Sequence, residues 1–186
     1  MSKNVILGVS GSIAAYKALQ IVTDLRRLKI EVVVVMTGCA QRFITPLSFK
    51  ALSQKEVITD LFEENSVRDP LHVALSNNVD LVVIAPATAN VIGKIAGGIS
   101  DDALTCTVMA STATKIIVPA MEGRMYNNPI VQGNIKKLQA LGYKFIGPVK
   151  GRLASGSEDM GRMSEVDEVV REITKELGME NKGISV

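Results

Sequence analysis

The chain has 186 residues and a formal net charge of +2, with 47% apolar and 22% charged residues, an ordinary balance for a globular protein. A domain of that length buries roughly 70% of its unfolded surface, so a core forms without disulfide or metal staples. Basic residues such as Lys3, Arg26, Arg27, Lys29, Lys136 and Lys137 are scattered rather than striped with aromatics, which argues against nucleic acid, and no apolar run reaches the ~20 residues of a membrane span.

The N-terminus opens directly into a strand-like run, with no basic leader before it. From there, short Val- and Ile-rich runs alternate with longer helix-like segments, the pattern of βαβ units around a parallel sheet covered on both faces. The runs lie at 5–9, 32–36, 81–84, 115–118 and 143–146, and Glu56-Val57-Ile58 reads as a short edge strand. Helical spacing spans 13–28, and Thr45-Pro46 reads as an N-cap followed by a first-turn proline. Helices are expected at 90–96, 102–109 and 129–141, the last ending at Gly142, and a final helix opens at 164–167 and runs to about Leu177. Residues 150–163 are polar and rich in Gly and Ser, and read as a long loop without elements of its own, the kind that is usually functional. The expectation is an α/β, three-layer Rossmann-like fold with a parallel sheet of about six strands. One domain should cover 1–178, with 179–186 as a frayed tail.

In such a sheet, ligands bind beyond the carboxyl ends of the strands, where strand order reverses. After the first strand comes Ser10-Gly11-Ser12-Ile13. Its spacing is not the dinucleotide G-x-G-x-x-G. It offers either a simple βα turn with serine as N-cap, or free N–H groups and a hydroxyl for one phosphate. After the second strand, Thr37 can cap a helix or donate to a ligand, and Phe43 is a core residue by default. The third strand leads to Pro86-Ala87-Thr88-Ala89-Asn90, where small residues admit a flat ligand. Beyond the fourth lies Ala120-Met121-Glu122-Gly123-Arg124-Met125, polar and methionine-bearing. His72 is the only histidine, at the apparent start of a helix, and composition alone favours a structural role over proton transfer. Cys39 and Cys106 lack metal-ligand spacing and are expected to pack as small hydrophobes in a reduced, cytoplasmic protein. No metal site is indicated.

Four segments in order resemble the homo-oligomeric flavin-containing cysteine decarboxylases: residues 11–17 (GSIAAYK), 86–90 (PATAN), 119–129 (PAMEGRMYNNP) and 151–163 (GRLASGSEDMGRM). The resemblance implies FMN held by Gly11, Ser12, Ile13, Thr37, Phe43, Thr88, Ala89, Asn90, Val91 and Ala120. It implies His72 and Ser155 as catalytic positions, and Glu122, Met125, Arg152, Leu153 and Ala154 as substrate contacts, the last three in a clamp over the site. It further implies trimers or multiples of trimers with active sites between subunits. The branch most resembled decarboxylates 4′-phosphopantothenoylcysteine, a phosphorylated cysteine conjugate, to 4′-phosphopantetheine in coenzyme A biosynthesis.

Two positions depart from the family pattern: Glu122 stands where asparagine is common, and Ser155 where the coenzyme A branch carries cysteine as proton donor. Ser155 leaves open the oxidative decarboxylation of a peptide's C-terminal cysteine. A flavin prenyltransferase and a non-catalytic FMN-binding regulator are further alternatives, the first disfavoured by the clamp and His72, the second by the lack of a long acidic tail.

Overall fold

The computed structural model describes residues 3–61 and 79–179. Five strands form one parallel sheet in the order β2-β1-β3-β4-β5: β1 (Asn4–Val9), β2 (Glu31–Met36), β3 (Leu81–Ala87), β4 (Thr114–Pro119) and β5 (Lys144–Phe145). Val5 pairs with Val32 on one side and Leu81 on the other, which places β1 in the interior of the sheet. The sixth strand expected at 56–58 contracts to a single parallel bridge between Ile58 and Val35. Two bonds make it, Met36 N–H to Ile58 O at 2.8 Å and Ile58 N–H to Val34 O at 2.9 Å.

Because successive strand residues face opposite ways, each run feeds two cores. Val5, Leu7 and Val9 join Val83 and Ala85 on one face, packed by α1 (Ala15–Arg27), Phe49 of α2 (Pro46–Ser53), and Val169, Val170 and Ile173 of α7 (Val166–Glu176). Ile6, Val82, Ile84 and Ile117 meet the other face, where α3 (Ala89–Gly97), α4 (Ala103–Ala110) and α6 (Pro129–Ala140) lie, the short α5 (Gly123–Tyr126) leading into α6. The layers are helix, sheet, helix.

Local chemistry sets the helix ends. Thr88 caps α3 through Val91 N–H, Asp102 and Thr105 close a capping box on α4, and Asn128 caps α6 ahead of Pro129. The serine cap expected on the first helix is not there: Ala14 holds the N-cap position without a side-chain bond, and Ser12 Oγ instead accepts from Ala14 N–H at 3.3 Å. Thr45 likewise makes no capping bond; its hydroxyl lies 3.2 Å from that of Ser48.

The segment 150–163, expected as a loop without elements, is an antiparallel hairpin of β6 (Val149–Arg152) and β7 (Glu158–Arg162). Its strands are largely exposed, so they carry no apolar alternation to announce them. The tip closes with Leu153 N–H to Ser157 O and Gly156 N–H to Leu153 O, with Gly156 at φ 86. Its base is fastened twice. Met121 N–H bonds Gly161 O at 3.0 Å, and Gly161, at φ 140, packs so closely that a Cβ would overlap the Met121 carbonyl. On the other side, buried Lys17 of α1 donates to Met163 O at 3.2 Å and to Glu165 Oε2 at 3.0 Å.

The hydrogen bond from Lys17 is the main cause that holds the Glu165 carboxyl below its usual range, with attraction from Lys17 and Arg162 adding to it. A carboxyl lowered by folding stabilises the native state above its unfolded value, near 4.3, and that stabilisation is lost as pH falls through the lower folded value. Lys17→Met should therefore flatten the acid limb of the stability curve below about pH 5. Urea midpoints measured against pH check this; an acid limb unchanged by the substitution would count against the link.

Candidate functional site

Strand order reverses between β1 and β3, and there the chain opens a cleft of about 940 Å³. Buried Ser10, just past β1, sits at its root. Its hydroxyl donates to Pro86 O at 2.8 Å and accepts Thr88 N–H at 3.0 Å, stitching the ends of the two strands together. A polar residue ending an otherwise apolar strand is the signal in the sequence for this bond.

Every position expected to touch the cofactor lines this cleft: Gly11, Ser12 and Ile13 after β1; Thr37 and Phe43 after β2; Thr88, Ala89, Asn90 and Val91 after β3; Ala120 after β4. Among the described residues, the N–H groups of Gly11 and Ile13 have no hydrogen-bond partner. Neighbouring free N–H groups at a turn make a concave anion seat. Gly11 is required there, because a Cβ would lie 2.5 Å from Cys39 Cβ. Thr37 fills its capping role by accepting Ala40 N–H at 3.2 Å, and keeps its hydroxyl proton to donate. Phe43 departs from its default: it is 49% exposed and faces the cleft rather than the core.

The wall also contains residues not foreseen. Arg42 lines it and forms no ion pair among the described residues, while Lys94 pairs with Asp101 at 2.6 Å and Asp102 at 3.2 Å. The Asp101 hydrogen bond leads in raising the Lys94 pKa, so the lysine stays charged between two carboxylates. Cys39, expected to pack as a small hydrophobe away from the clamp, is exposed and lines the same cleft as Ala154 of the hairpin. Cys106 is half-buried; its thiol donates to Ser100 O at 3.2 Å, and burial leads in pushing its pKa up.

Of the positions expected to meet substrate, Met125 and Ala154 lie on the large cleft. Arg152, Leu153, Ala154 and Glu122 line an adjoining cavity of about 280 Å³ between the hairpin and the start of α1, at Ser12 to Lys17. Ser155 lies apart from both, at the hairpin tip, on a third cavity shared with Glu122. Arg124, the neighbour available to offset Glu122, makes no ion pair with it; Ser157 Oγ is the donor to Glu122, at 3.4 Å. His72 lies outside the described residues. No cluster of His, Cys, Asp and Glu among the described residues could hold a metal ion, and none of their helices is long and apolar enough to cross a membrane.

A β2-β1-β3-β4-β5 sheet makes this a doubly wound, flavodoxin-like α/β protein, with free N–H groups at the switch point where such folds bind ligands. The family model described as Flavoprotein matches residues 1–178, and the chain belongs to that family. It is 46% identical over 170 residues to the coenzyme A biosynthesis bifunctional protein CoaBC of Bacillus subtilis, a match covering 91% of this chain and 42% of that protein. The chain thus spans less than half the length of that relative. It is 38% identical over 179 residues to the probable phosphopantothenoylcysteine decarboxylase of Streptococcus mutans, covering 95% of this chain and all of the relative, 100%. Among solved structures, it resembles a cysteine-to-serine mutant of PPC decarboxylase complexed with pantothenoylaminoethenethiol, with a TM-score of 0.85, 34% identity, and coverage of 96% and 100%. The FMN-dependent cysteine decarboxylase SpaF follows at a TM-score of 0.80, 30% identity, and coverage of 94% and 97%.

Removal of the Ser10 hydroxyl leaves the Thr88 N–H without a partner at a buried strand junction. Ser10→Ala should lower stability by about 1–3 kcal/mol and loosen the cleft's root. Chemical denaturation and ligand retention through gel filtration check both; a stability change within error would mean that water takes the place of the hydroxyl.

Proposed function

We propose that the chain is an FMN-dependent decarboxylase that converts 4′-phosphopantothenoylcysteine to 4′-phosphopantetheine in coenzyme A biosynthesis. The observation that carries this reading is convergence: segments from the ends of β1, β2, β3 and β4, remote in sequence, line one cleft beneath the hairpin. The fit to FMN rests on this chain's own features. Free N–H groups of Gly11 and Ile13 with the Ser12 hydroxyl suit a single phosphate, and small residues at Ala89 and Ala120 admit a flat ring.

FMN, when bound, supplies the oxidation of the cysteine side chain to a thioaldehyde, which leaves an electron sink β to the carboxylate so that carbon dioxide departs. The protein holds and orients. Thr37 and Thr88 to Val91 would hold the group through hydrogen bonds, and Phe43, on the same cleft, would pack beside it. Arg152, Leu153 and Ala154 bring the clamp onto substrate, and Met125 fills apolar space beside it. His72, carried by the resemblance alone, is assigned to proton handling or to orienting the substrate carboxylate.

A second reading is favoured by Ser155, which stands where the coenzyme A branch carries a proton-donating cysteine. Oxidative decarboxylation of a peptide's C-terminal cysteine would need no such acid and would stop at the enethiol.

The test is direct. Ligand released from the purified protein should have the mass of FMN, and incubation with 4′-phosphopantothenoylcysteine should release carbon dioxide. His72→Asn should retain flavin and lose that release. A dinucleotide in the site, or no carbon dioxide from the unaltered protein, overturns the reading.

Assembly belongs to the same proposal. Ile13 is 62% exposed and Tyr16 58% exposed beside the cleft, apolar area that a neighbouring subunit would cover. A homotrimer or a multiple of it, in the cytoplasm, is the form we expect. Light scattering that shows a fully active monomer would rule it out.

A further inference from the structure

The large cleft at the switch point is nearly bare of free charge. Its lining carries three charged side chains, Arg42, Lys94 and Asp102. Lys94 and Asp102 meet at 3.2 Å, and Lys94 also holds Asp101 at 2.6 Å, which leaves Arg42. Among the described residues its guanidinium forms neither an ion pair nor a hydrogen bond. The backbone that carries it is fixed. Arg42 closes the 3₁₀ turn Ala40–Arg42, where its N–H bonds Cys39 O at 3.3 Å and Thr37 Oγ1 accepts the Ala40 N–H at 3.2 Å. An exposed arginine needs no partner but water. What sets this one apart is its place on the wall of a ligand cleft, on a turn already ordered, where meeting a ligand costs the freedom of one side chain.

Charge balance points to the ligand it meets. The free N–H groups of Gly11 and Ile13 with the Ser12 hydroxyl suit one phosphate, and they offer it only the partial positive charge of a helix start. The reaction proposed above brings two phosphate monoesters together, one on FMN and one on 4′-phosphopantothenoylcysteine, each close to doubly negative at neutral pH. A cleft of about 940 Å³ lies at the upper end of ligand-pocket sizes, roughly 300–1,000 Å³, and has room for both molecules. A second dianion in the same cleft calls for a full positive charge, and Arg42 is the one on the lining that is not already compensated. Arg152, on the adjoining cavity, rides on the hairpin with Leu153 and Ala154 and is placed by the clamp reading at the part of the substrate that carries no phosphate.

We propose that Arg42 pairs with the phosphate of the substrate, and that this pairing makes the cleft prefer a phosphorylated cysteine conjugate to an unphosphorylated one. This rests on the decarboxylase reading above. A guanidinium is planar, stays charged at any working pH, and offers forked donors to two phosphate oxygens at once, whereas a lysine in its place would offer a point charge. The pairing also separates the two readings of the reaction, because a peptide's C-terminal cysteine brings no phosphate to Arg42. Arg42 binds and selects; it takes no part in the chemical step.

The experiment is a two-by-two comparison: unaltered protein and Arg42→Met, each loaded with FMN, turning over 4′-phosphopantothenoylcysteine and pantothenoylcysteine. The readout is the preference ratio, kcat/KM with the phosphate over kcat/KM without it. Arg42→Met should lower that ratio at least tenfold, through KM rather than kcat, and Arg42→Lys should recover part of it. Arg152→Met should lower kcat/KM for both substrates and leave the ratio in place. A ratio unchanged in Arg42→Met overturns the proposal. So does a loss of affinity for FMN relative to riboflavin, measured by flavin fluorescence, because it would give Arg42 to the cofactor's phosphate instead. Absence of carbon dioxide from both substrates with the unaltered protein overturns the decarboxylase reading. In that event the subsite is judged by calorimetry on binding alone: 4′-phosphopantetheine should bind the FMN-loaded protein more tightly than pantetheine, and Arg42→Met should erase the difference. Equal binding of the two, or none, rejects the subsite.

Discussion

The site depends on one buried hydroxyl. At the carboxyl edge of the sheet, β1 and β3 part as the chain leaves in opposite directions, and the Ser10 N–H still reaches Pro86 O at 3.2 Å. The Ser10 hydroxyl adds a second bond to Pro86 O and takes the Thr88 N–H. That fixes the separation of the two segments which form most of the cleft, 11–13 and 88–91. It also orients Thr88, whose own hydroxyl starts α3 through Val91 N–H. A bond at the root of the sheet thus sets a helix start and an anion seat together. The burial of Ser10 protects it from competition by water, where a hydrogen bond contributes more.

The two faces of the sheet take unequal shares of the work. One carries α1, whose Lys17 reaches across to the end of the hairpin, so the helix that begins at the anion seat also holds the cover over it. The other carries α3 and α4, tied at the rim by Lys94 to Asp101 and Asp102. Exposed ion pairs of this kind contribute little to stability. Their effect is positional: they occupy a cation and two carboxylates that would otherwise compete for ligand.

Much of this was legible from residue order. Runs of Val and Ile without alternation mark strands packed on both faces, and the assigned cores bear that out through Val5 and Ile6, neighbours in sequence that point into opposite layers. The ligand cleft was legible because the rule of strand carboxyl ends needs only topology. What escaped has physical causes. The hairpin at 149–162 turns one side to solvent and carries Gly151, Asp159 and Gly161 rather than large apolar residues on its partly buried side, so no apolar period exists to detect, and its strands are set by Gly161 against the Met121 carbonyl rather than by a core. The edge strand at 56–58 is a single bridge, because only Ile58 bonds the β2 backbone, at Val34 and Met36. Cys39 and Phe43 were assigned inward on composition, yet the turn after β2 delivers both to the cleft. The link from Ser157 to Glu122 joins residues that sequence separation hides.

The hairpin's attachment has an evolutionary consequence. Both of its fastenings, at Met121–Gly161 and at Lys17–Met163, lie at the base, while the hydrogen bonds of residues 153–157 run among themselves and to Glu122. Selection on those five positions is therefore nearly decoupled from selection on foldability. Drift at the tip can alter what the cavities beside it admit without trial of the framework beneath. A lineage built on this plan can diversify its chemistry at the rate of a loop while its flavin seat changes at the rate of a core.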